Sequence, residues 1–384
     1  MSKHLVFVGG GHAHLTALKD LSTFTKQGHR VTLISPSPYH YYSGMGPGML
    51  GGSYQPWEVR FHIKKLAEDR GAAFMQDKVV TFDPVEHRLF LESGQNVQYD
   101  VVSFNTGSKV PVEALTKTPH ENIITVKPVV NLLRARNAIA KASQEGKVLN
   151  FVVIGGGPAG VEISGNLWRL LHEHKGKGRI VLIAGERLMP SAPEKVRGLA
   201  MASLVKRGVQ ILEGSMVNAV KQGAVTLTDK QAVDFDIALV AIGVRPYSMF
   251  LDSHVPTGPD GGLLVNAHLQ SVAHPDVFGG GDCISLEGHN LARVGVYAVR
   301  QNPILLHNLL ATLTGGEMMT FTPQAHYLLI FNMGNGKGIF WKRELVWQGR
   351  LAFLLKNYID MRFMKSFQVS GERDDKMQET DTTG

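Results

Sequence analysis

The sequence predicts an α/β protein with two parallel-sheet units and a shorter C-terminal region of different pattern, within 384 residues. Three observations carry that expectation. An apolar run at residues 4–8 (HLVFV) stops at three glycines. LTALKDLSTFTK follows, with Leu15, Leu18 and Leu21 at helical spacing, and the run 30–34 (RVTLI) completes a strand–helix–strand unit. The same grammar returns as LNFVVI (149–154), GGGPAGVEISGNLWRLLHEH and RIVLI (179–183), one domain length later, which points to two parallel sheets. Beyond about residue 320 the pattern changes to strands with glycine turns, HYLLIFNMGNGKGIFWKRELVWQG, and a helical stretch over 350–367.

The remaining elements fall between these units. YDVVSFNTGS (99–108) and FDIALVAIGVRP (235–246) share an acidic residue, an apolar strand and a turn built from a small residue and glycine: Thr106-Gly107 in one, Gly243 in the other. VVTFDPVEHRLFLESG and NAVKQGAVTLTDKQAVDF alternate and turn like antiparallel hairpins. PDVFGGGDC (275–283) reads as a further strand ending at glycines and an aspartate. Residues 371–384 are polar and are expected to fray.

Composition narrows the function classes. The apolar fraction of 43% and charged fraction of 19% fit a folded chain. Net charge is +7, yet no basic run interleaved with aromatics and no nucleic-acid motif accompanies it, so a basic enzyme receptive to anionic phosphates is the better reading. One cysteine, Cys283, rules out an intrachain disulfide and a two-cysteine redox centre. The histidines show no metal-ligand spacing, so no metal is expected. The N-terminus is too short before its glycines for a signal peptide, and no run of about 18 apolar residues occurs, which makes the cytoplasm the default compartment.

The chemistry lies in the two glycine loops. In Gly9-Gly10-Gly11-His12-Ala13-His14, Gly9 and Gly11 occupy the positions where a strand must turn sharply and where backbone approaches a pyrophosphate, while a helix N-terminus beyond offers free N–H groups. His14 stands where a third glycine or alanine is usual, and Ser35 where a ribose-binding acid is usual. The second loop satisfies all three positions with Gly155, Gly157 and Gly160, between a strand and a helix. Its second strand also lacks an acid: Ala184 stands there, with Glu186 and Arg187 beyond, which argues against a strong preference for NADH over NADPH. Arg187 meets a 2′-phosphate or is a solvated charge.

With these loops the sequence resembles the two-dinucleotide-binding-domain flavoproteins, the pyridine nucleotide-disulfide oxidoreductases, over about residues 1–315. Within them it is most similar to type II NADH dehydrogenases and to the flavoproteins associated with selenophosphate synthetase, through GGGHAH, YSGMGPG (42–48) and GVYAVRQ (295–301). The resemblance implies two Rossmann-like domains, the second inserted in the first: 1–115 and 246–318 bind FAD, 116–245 binds NAD(P)H, and 319–384 forms a small α+β region. It implies that the first loop, with Gly9, Gly11, His12 and Ala13, holds FAD together with Ser35, Pro47, Thr106 and Gly107. It also implies that Asp282 of the Gly281-Asp282 motif accepts a hydrogen bond from the ribityl chain, and that Gly155, Gly157, Gly160 and Gly243 serve the nicotinamide nucleotide. The absent cysteine pair excludes disulfide reduction and disfavours sulfide oxidation.

Hydride transfer from nicotinamide to flavin needs position more than acid–base help. By resemblance Glu162 sits beside the nicotinamide as a placement or proton-relay residue; as a bare carboxylate at a helix start it would instead complement the helix dipole. Gln301 is similar to a quinone-pocket glutamine of the type II dehydrogenases, although Arg300 and Asn302 flank it where a second glutamine is usual. Pro47 and its glycines would let backbone pass close to flavin, and Tyr41 and Tyr42 would stack on adenine or line an acceptor channel. The 350–367 stretch, with Leu351, Leu354, Leu355, Tyr358 and Ile359 on one side, has three readings: a peripheral helix on the inner face of a membrane, a helix packed on the flavin domain, or a homodimer contact. The expected activity is electron transfer from NAD(P)H through FAD to a quinone or similar small acceptor, with a soluble carrier protein or a slow redox sensor as alternatives.

Overall fold

The computed structural model describes residues 2–118 and 120–373. Strands β1 (His4–Val8), β2 (Arg30–Ser35), β3 (Ala73–Gln76) and β4 (Val101–Phe104) form one parallel sheet that a later strand joins. The second sheet comprises β5 (Ile123–Thr125), β6 (Val148–Ile154), β7 (Lys177–Ile183), β8 (Gln210–Leu212) and β9 (Ile237–Val240), and β10 (Val277–Gly279) returns to the first. The orders are β10-β4-β1-β2-β3 and β5-β9-β6-β7-β8, parallel throughout. In each sheet the chain runs outward from β1 or β6 and then restarts on that strand's other side. Each glycine loop therefore leaves a strand at a topological switch point, where open α/β sheets bind ligands.

The sequence of β6 and β7 explains why that sheet is covered on both faces. Phe151, Val153 and Leu182 point into the main core, while Val152, Ile154, Val181 and Ile183 pack with Val220, Val225 and Leu227 of the antiparallel meander 217–234. Continuous apolar runs rather than alternation are what a sheet buried on both sides requires. The two expected hairpin regions are three-stranded meanders, at 79–98 and 217–234.

The helix expected after the first loop is shorter than the leucine spacing suggests. A 3₁₀ turn (His12–His14) leads into Leu15–Lys19, and a separate turn covers Ser22–Thr25. Leu15, Leu18 and Leu21 are still buried, but Ser22, Thr23 and Thr25 are weak helix formers. After the second loop, helix α1 (Pro158–Glu173) is continuous, with proline in its first turn.

The chain crosses between the sheets twice, and the crossings pair with each other: Lys109 N–H donates to Arg245 O at 2.8 Å and Arg245 N–H to Lys109 O at 2.9 Å. Helix α2 (Gly295–Thr314) packs behind the first loop. Strands β11 (Leu329–Asn332), β12 (Gly338–Lys342) and β13 (Leu345–Gly349) form an antiparallel sheet, followed by helix α3 (Arg350–Phe367). Of the tail expected to fray, 371–373 is docked instead, because the buried Glu372 carboxylate accepts from His62 N–H at 3.2 Å and Ser370 N–H at 2.9 Å; 374–384 lies outside the described residues.

Candidate active site

Both loops solve the same geometric problem in the same way. Gly9 has φ +83° and a Cβ there would lie 2.5 Å from Asn105 O; Gly155 has φ +126° and a Cβ there would lie 2.2 Å from Ala241 O. Their amides bond the neighbouring strand, Gly9 to Ile34 O at 2.8 Å and Gly155 to Ile183 O at 2.9 Å. Only glycine permits both the left-handed backbone and the close passage of the strand end beyond.

The middle positions differ. Nothing lies within 4 Å of a Cβ placed on Gly157, so the second loop faces open space there. At Gly11 the loop is closely packed instead: a Cβ would lie 2.2 Å from Asn105 Oδ1. Asn105 fills that space because it ties three segments, accepting from Ala13 N–H at 3.0 Å and donating to Gly280 O at 2.5 Å. It thereby joins β4, the first loop and the Gly281-Asp282 turn. Asn105 is missed by sequence reasoning, although an amide ending an otherwise apolar strand (VVSFN) is the available signal.

The third positions differ too. Gly160 lets α1 approach its own loop, since a Cβ would fall 1.8 Å from Gly155 O. His14 instead spends its ring on structure. Its Nδ1–H donates to Gly9 O at 2.6 Å, so its Nε2 accepts from Ser103 Oγ at 2.8 Å, and burial pushes its pKa down to about 4.

Around the first loop the other predicted residues converge. Thr106 and Gly107 follow β4 and Ser35 ends β2, buried. No atom lies within 4 Å of a Cβ on Gly107 or, at the equivalent turn of the second sheet, on Gly243. The Asp282 carboxylate accepts from Ser108 Oγ at 2.8 Å and from Lys127 Nζ at 2.6 Å, and Arg293 bonds its backbone carbonyl. Burial opposes the charge on Asp282, but the Lys127 ammonium and the Ser108 hydroxyl hold its pKa below the ordinary carboxylate value. Gln301 is 1% exposed and its Oε1 accepts from Gly281 N–H at 2.7 Å, so it braces the turn. A cavity of about 260 Å³ opens beside Gly281, Asp282, Arg293, Tyr297 and Gln301.

The glycines near Pro47 face protein at close range. Cβ atoms on Gly48 and Gly51 would meet the Tyr54 ring at 2.4 Å and Asn166 Oδ1 at 2.7 Å. Gly51, against Asn166 of α1, and Gly46, whose Cβ would meet Val129 and Leu132, let the short helix Gly46–Leu50, with Pro47 in its first turn, pack against α1 and its neighbour Val130–Gln144.

Beside the first loop lies a buried polar cluster supplied mainly by α3. Lys356 Nζ donates to Asp360 Oδ2 at 2.6 Å and to Gly44 O at 2.8 Å, and Tyr42 Oη donates to Asp360 Oδ1 at 3.2 Å. Lys356 is 8% exposed and Asp360 4%. Glu162, on α1, joins from the second domain and accepts from Asn332 N–H at 2.6 Å. Burial pushes its pKa up to about 7 against the pull of Lys356 and the Asn332 amide, with Asp360 adding to the rise. Beside the cluster the His12 ring meets Tyr42 at 5.2 Å, Phe363 at 6.1 Å and His40 at 4.7 Å. Lys356 and Asp360 were not foreseen, because charges in an amphipathic stretch read as a solvated face.

These features fit a dinucleotide in each loop. His12 Nε2 is buried without a hydrogen-bond partner beside the first loop, and Gly157 faces vacant space in the second. Cys283 is buried, its single thiol proton shared between Phe104 O and Gly280 O, out of reach of redox exchange. Among the described residues no group of His, Cys, Asp or Glu is arranged to hold a metal ion.

Comparison with known proteins agrees with this geometry. The NDH2 of Plasmodium falciparum, solved with NADH, superposes with a TM-score of 0.82 at 12% identity, covering 97% of this chain and 98% of that one. The sulfide:quinone oxidoreductase of Aquifex aeolicus gives a TM-score of 0.77 at 16% identity, covering 96% and 92%. Among curated relatives, the alternative NAD(P)H-ubiquinone oxidoreductase C1 of Arabidopsis thaliana is 26% identical over 330 residues, 74% of this chain and 62% of its own length. Ferroptosis suppressor protein 1 of Xenopus tropicalis is 26% identical over 97% of this chain and 96% of its own length. The demethylphylloquinone reductase NdbB of Synechocystis is 23% identical over 82% and 81%. The family model described as pyridine nucleotide-disulphide oxidoreductase matches residues 3–304, and the chain belongs to that family.

Proposed function

We propose that the protein is an FAD-dependent NAD(P)H:quinone oxidoreductase, catalysing NAD(P)H + H⁺ + quinone → NAD(P)⁺ + quinol. The observation that carries this reading is the pair of glycine-loop switch points, one in each parallel sheet, with a single buried cysteine that leaves no thiol relay between donor and acceptor. Of the relatives described above, the Arabidopsis and Synechocystis proteins are named for quinone reduction. Bound FAD supplies the two-electron exchange, accepting from the nicotinamide and giving to the quinone. The residues that would hold it are Gly9, Gly11, His12 and Ala13 of the first loop, with Ser35, Thr106, Gly107, Gly281 and Asp282. Gly155, Gly157, Gly160 and Gly243 would hold NAD(P)H. Arg187, already paired with Glu194, is exposed where a 2′-phosphate would sit. Gln301, beside its cavity, is the acceptor-side residue. Anaerobic mixing with NADH or NADPH tests the donor side by bleaching of the flavin absorbance. Adding a short-chain quinone should restore the colour, and a colour restored only by a carrier protein would overturn the quinone assignment.

Glu162, outside that cavity in the buried cluster with Lys356 and Asp360, would relay the proton that the quinone requires. With a pKa of about 7 its carboxyl holds that proton below neutrality and gives it up above. Quinone turnover should therefore fall as pH rises through about 7. Glu162→Gln should lower turnover at pH 6 by about a hundredfold, the usual scale of acid catalysis, and flatten the profile. Stability carries the same signature: a raised carboxyl pKa lets the folded state bind a proton that the unfolded state has lost, so stability declines between the ordinary carboxylate range and pH 7. A Glu162→Gln enzyme with the parental pH–rate profile would remove Glu162 from proton delivery.

The quinone would be met at a membrane surface. Among the described residues no helix is long and apolar enough to cross a membrane. Helix α3 turns Leu351, Leu354, Tyr358 and Ile359 outward, at 71%, 56%, 62% and 40% exposure, with Arg350, Arg362 and Lys365 also exposed. That combination suits the interface of an anionic bilayer. The intact holoprotein should sediment with anionic vesicles, less so in high salt. Replacing the four apolar residues together by serine should leave it in the supernatant with its flavin retained, since all four are solvent-exposed. A parent protein that stays in the supernatant at low salt would exclude the membrane contact.

A further inference from the structure

Lys127 stands at the junction of the two domains and was not singled out by its sequence context. It follows β5 of the second domain, and its backbone is fixed there: Thr125 Oγ1 donates to Lys127 O at 2.7 Å, and Asn131 Nδ2 donates to Thr125 O at 3.1 Å. Its ammonium reaches into the first domain, 2.6 Å from Asp282 Oδ2 and 2.9 Å from Ser108 Oγ. Lys127 and Asp282 side chains are only 22% and 16% exposed. The same ammonium acts electrostatically on the imidazoles of His12 and His40, opposing their protonation, so its field covers the first loop's flank.

We infer that Lys127 is the counter-charge for the isoalloxazine end of FAD, favouring the reduced cofactor over the oxidised one. The inference rests on the FAD reading of the first loop. Asp282, at the ribityl position, separates the pyrophosphate end at Gly9–Gly11 from the ring end. Lys127 approaches Asp282 from the nucleotide domain, whose bound nicotinamide must face the ring. It therefore lies on the ring side. Two-electron reduction adds negative charge to the ring system at neutral pH, and a fixed ammonium in a partly desolvated site stabilises that charge far more than bulk water would. Asp282 offsets part of this field while also orienting the ammonium, and the Arg293 guanidinium, bonding Asp282 O and paired with Asp260, adds to it.

The test compares holoproteins of the parent, Lys127→Gln and Lys127→Arg, each saturated with FAD, by equilibrium redox titration of the flavin absorbance against a reference dye. Gln keeps a hydrogen bond to Asp282 without the charge, and Arg keeps the charge. Lys127→Gln should lower the equilibrium ratio of reduced to oxidised flavin at least tenfold, about 30 mV for a two-electron couple, while Lys127→Arg stays within threefold of the parent. Dissociation constants for FAD, measured on the apoproteins by fluorescence quenching, separate the other roles. If Lys127→Gln weakens FAD binding but leaves the potential at the parental value, the lysine serves the phosphates and the inference fails. If it lowers only the melting temperature, Lys127 is a latch between domains and the inference fails. A parent protein that holds no flavin would instead remove the FAD reading itself.

Discussion

Gly157→Val is expected to leave a yellow protein that NAD(P)H no longer reduces. The backbone at Gly157 lies at φ −77°, which any residue adopts, and no atom stands within 4 Å of the point a Cβ would occupy. The folded protein therefore tolerates the valine at little cost in packing or strain. What the side chain occupies is the vacant space at the N-terminus of α1, where a pyrophosphate would meet free N–H groups. The FAD loop lies in the other sheet and is untouched. Flavin content should match the parent, and the rate of anaerobic bleaching by NADH or NADPH should drop by at least a hundredfold. Dithionite should still bleach the flavin, which shows that the cofactor remains reducible. Parental bleaching by NAD(P)H in the flavin-replete variant would mean that the internal loop does not carry the donor.

Lys356→Met is expected to cost about 3–5 kcal/mol of stability, because it strands the Asp360 carboxylate in a site only 4% exposed. Tyr42 remains as a partner, but a single neutral hydroxyl at 3.2 Å does not replace an ammonium at 2.6 Å. Burial already raises the pKa of Asp360, and Lys356 is the main force holding it down. Without Lys356 the carboxyl binds a proton more readily in the folded state than in the unfolded one. The deficit should therefore shrink below the unfolded carboxylate pKa and grow as pH rises past it. The double variant Lys356→Met/Asp360→Leu, which removes both charges, should recover most of the loss. Urea unfolding of the FAD-saturated proteins at pH 5 and pH 8 gives the comparison. A single variant within about 1 kcal/mol of the parent at pH 8 would mean that water reaches the pair despite its burial.

The two loops were legible in the sequence because their requirements are local. A glycine where φ must be positive, a strand before it and a helix after it are covalent neighbours, so Gly9 and Gly155 announce their role through spacing alone. The apolar runs of β1 and β6 and the hairpin signals at 79–98 and 217–234 are local in the same sense. Gly281-Asp282 needed the resemblance as well, since an aspartate after glycines is also an ordinary turn.

What the tertiary structure decided depends on groups far apart in the chain. Asn105 closes the space beside Gly11, across 92 residues from its partner Ala13. Lys127 finds Asp282 across 155 residues, and Lys356 finds Gly44 across 312. Helix α3 shows the difference most directly. Its leucines predict an amphipathic helix, and on the usual logic that apolar face should be the buried one. In the fold Leu351, Leu354 and Tyr358 face outward, while Lys356 and Asp360 pack inward beside Met364. Helical period fixes which side chains share a face, since 3.6 residues per turn is a property of the backbone. It does not decide which face is covered, because that follows from the free energy of contacts made elsewhere: here, a lysine and an aspartate that neutralise each other and satisfy Tyr42 and Gly44.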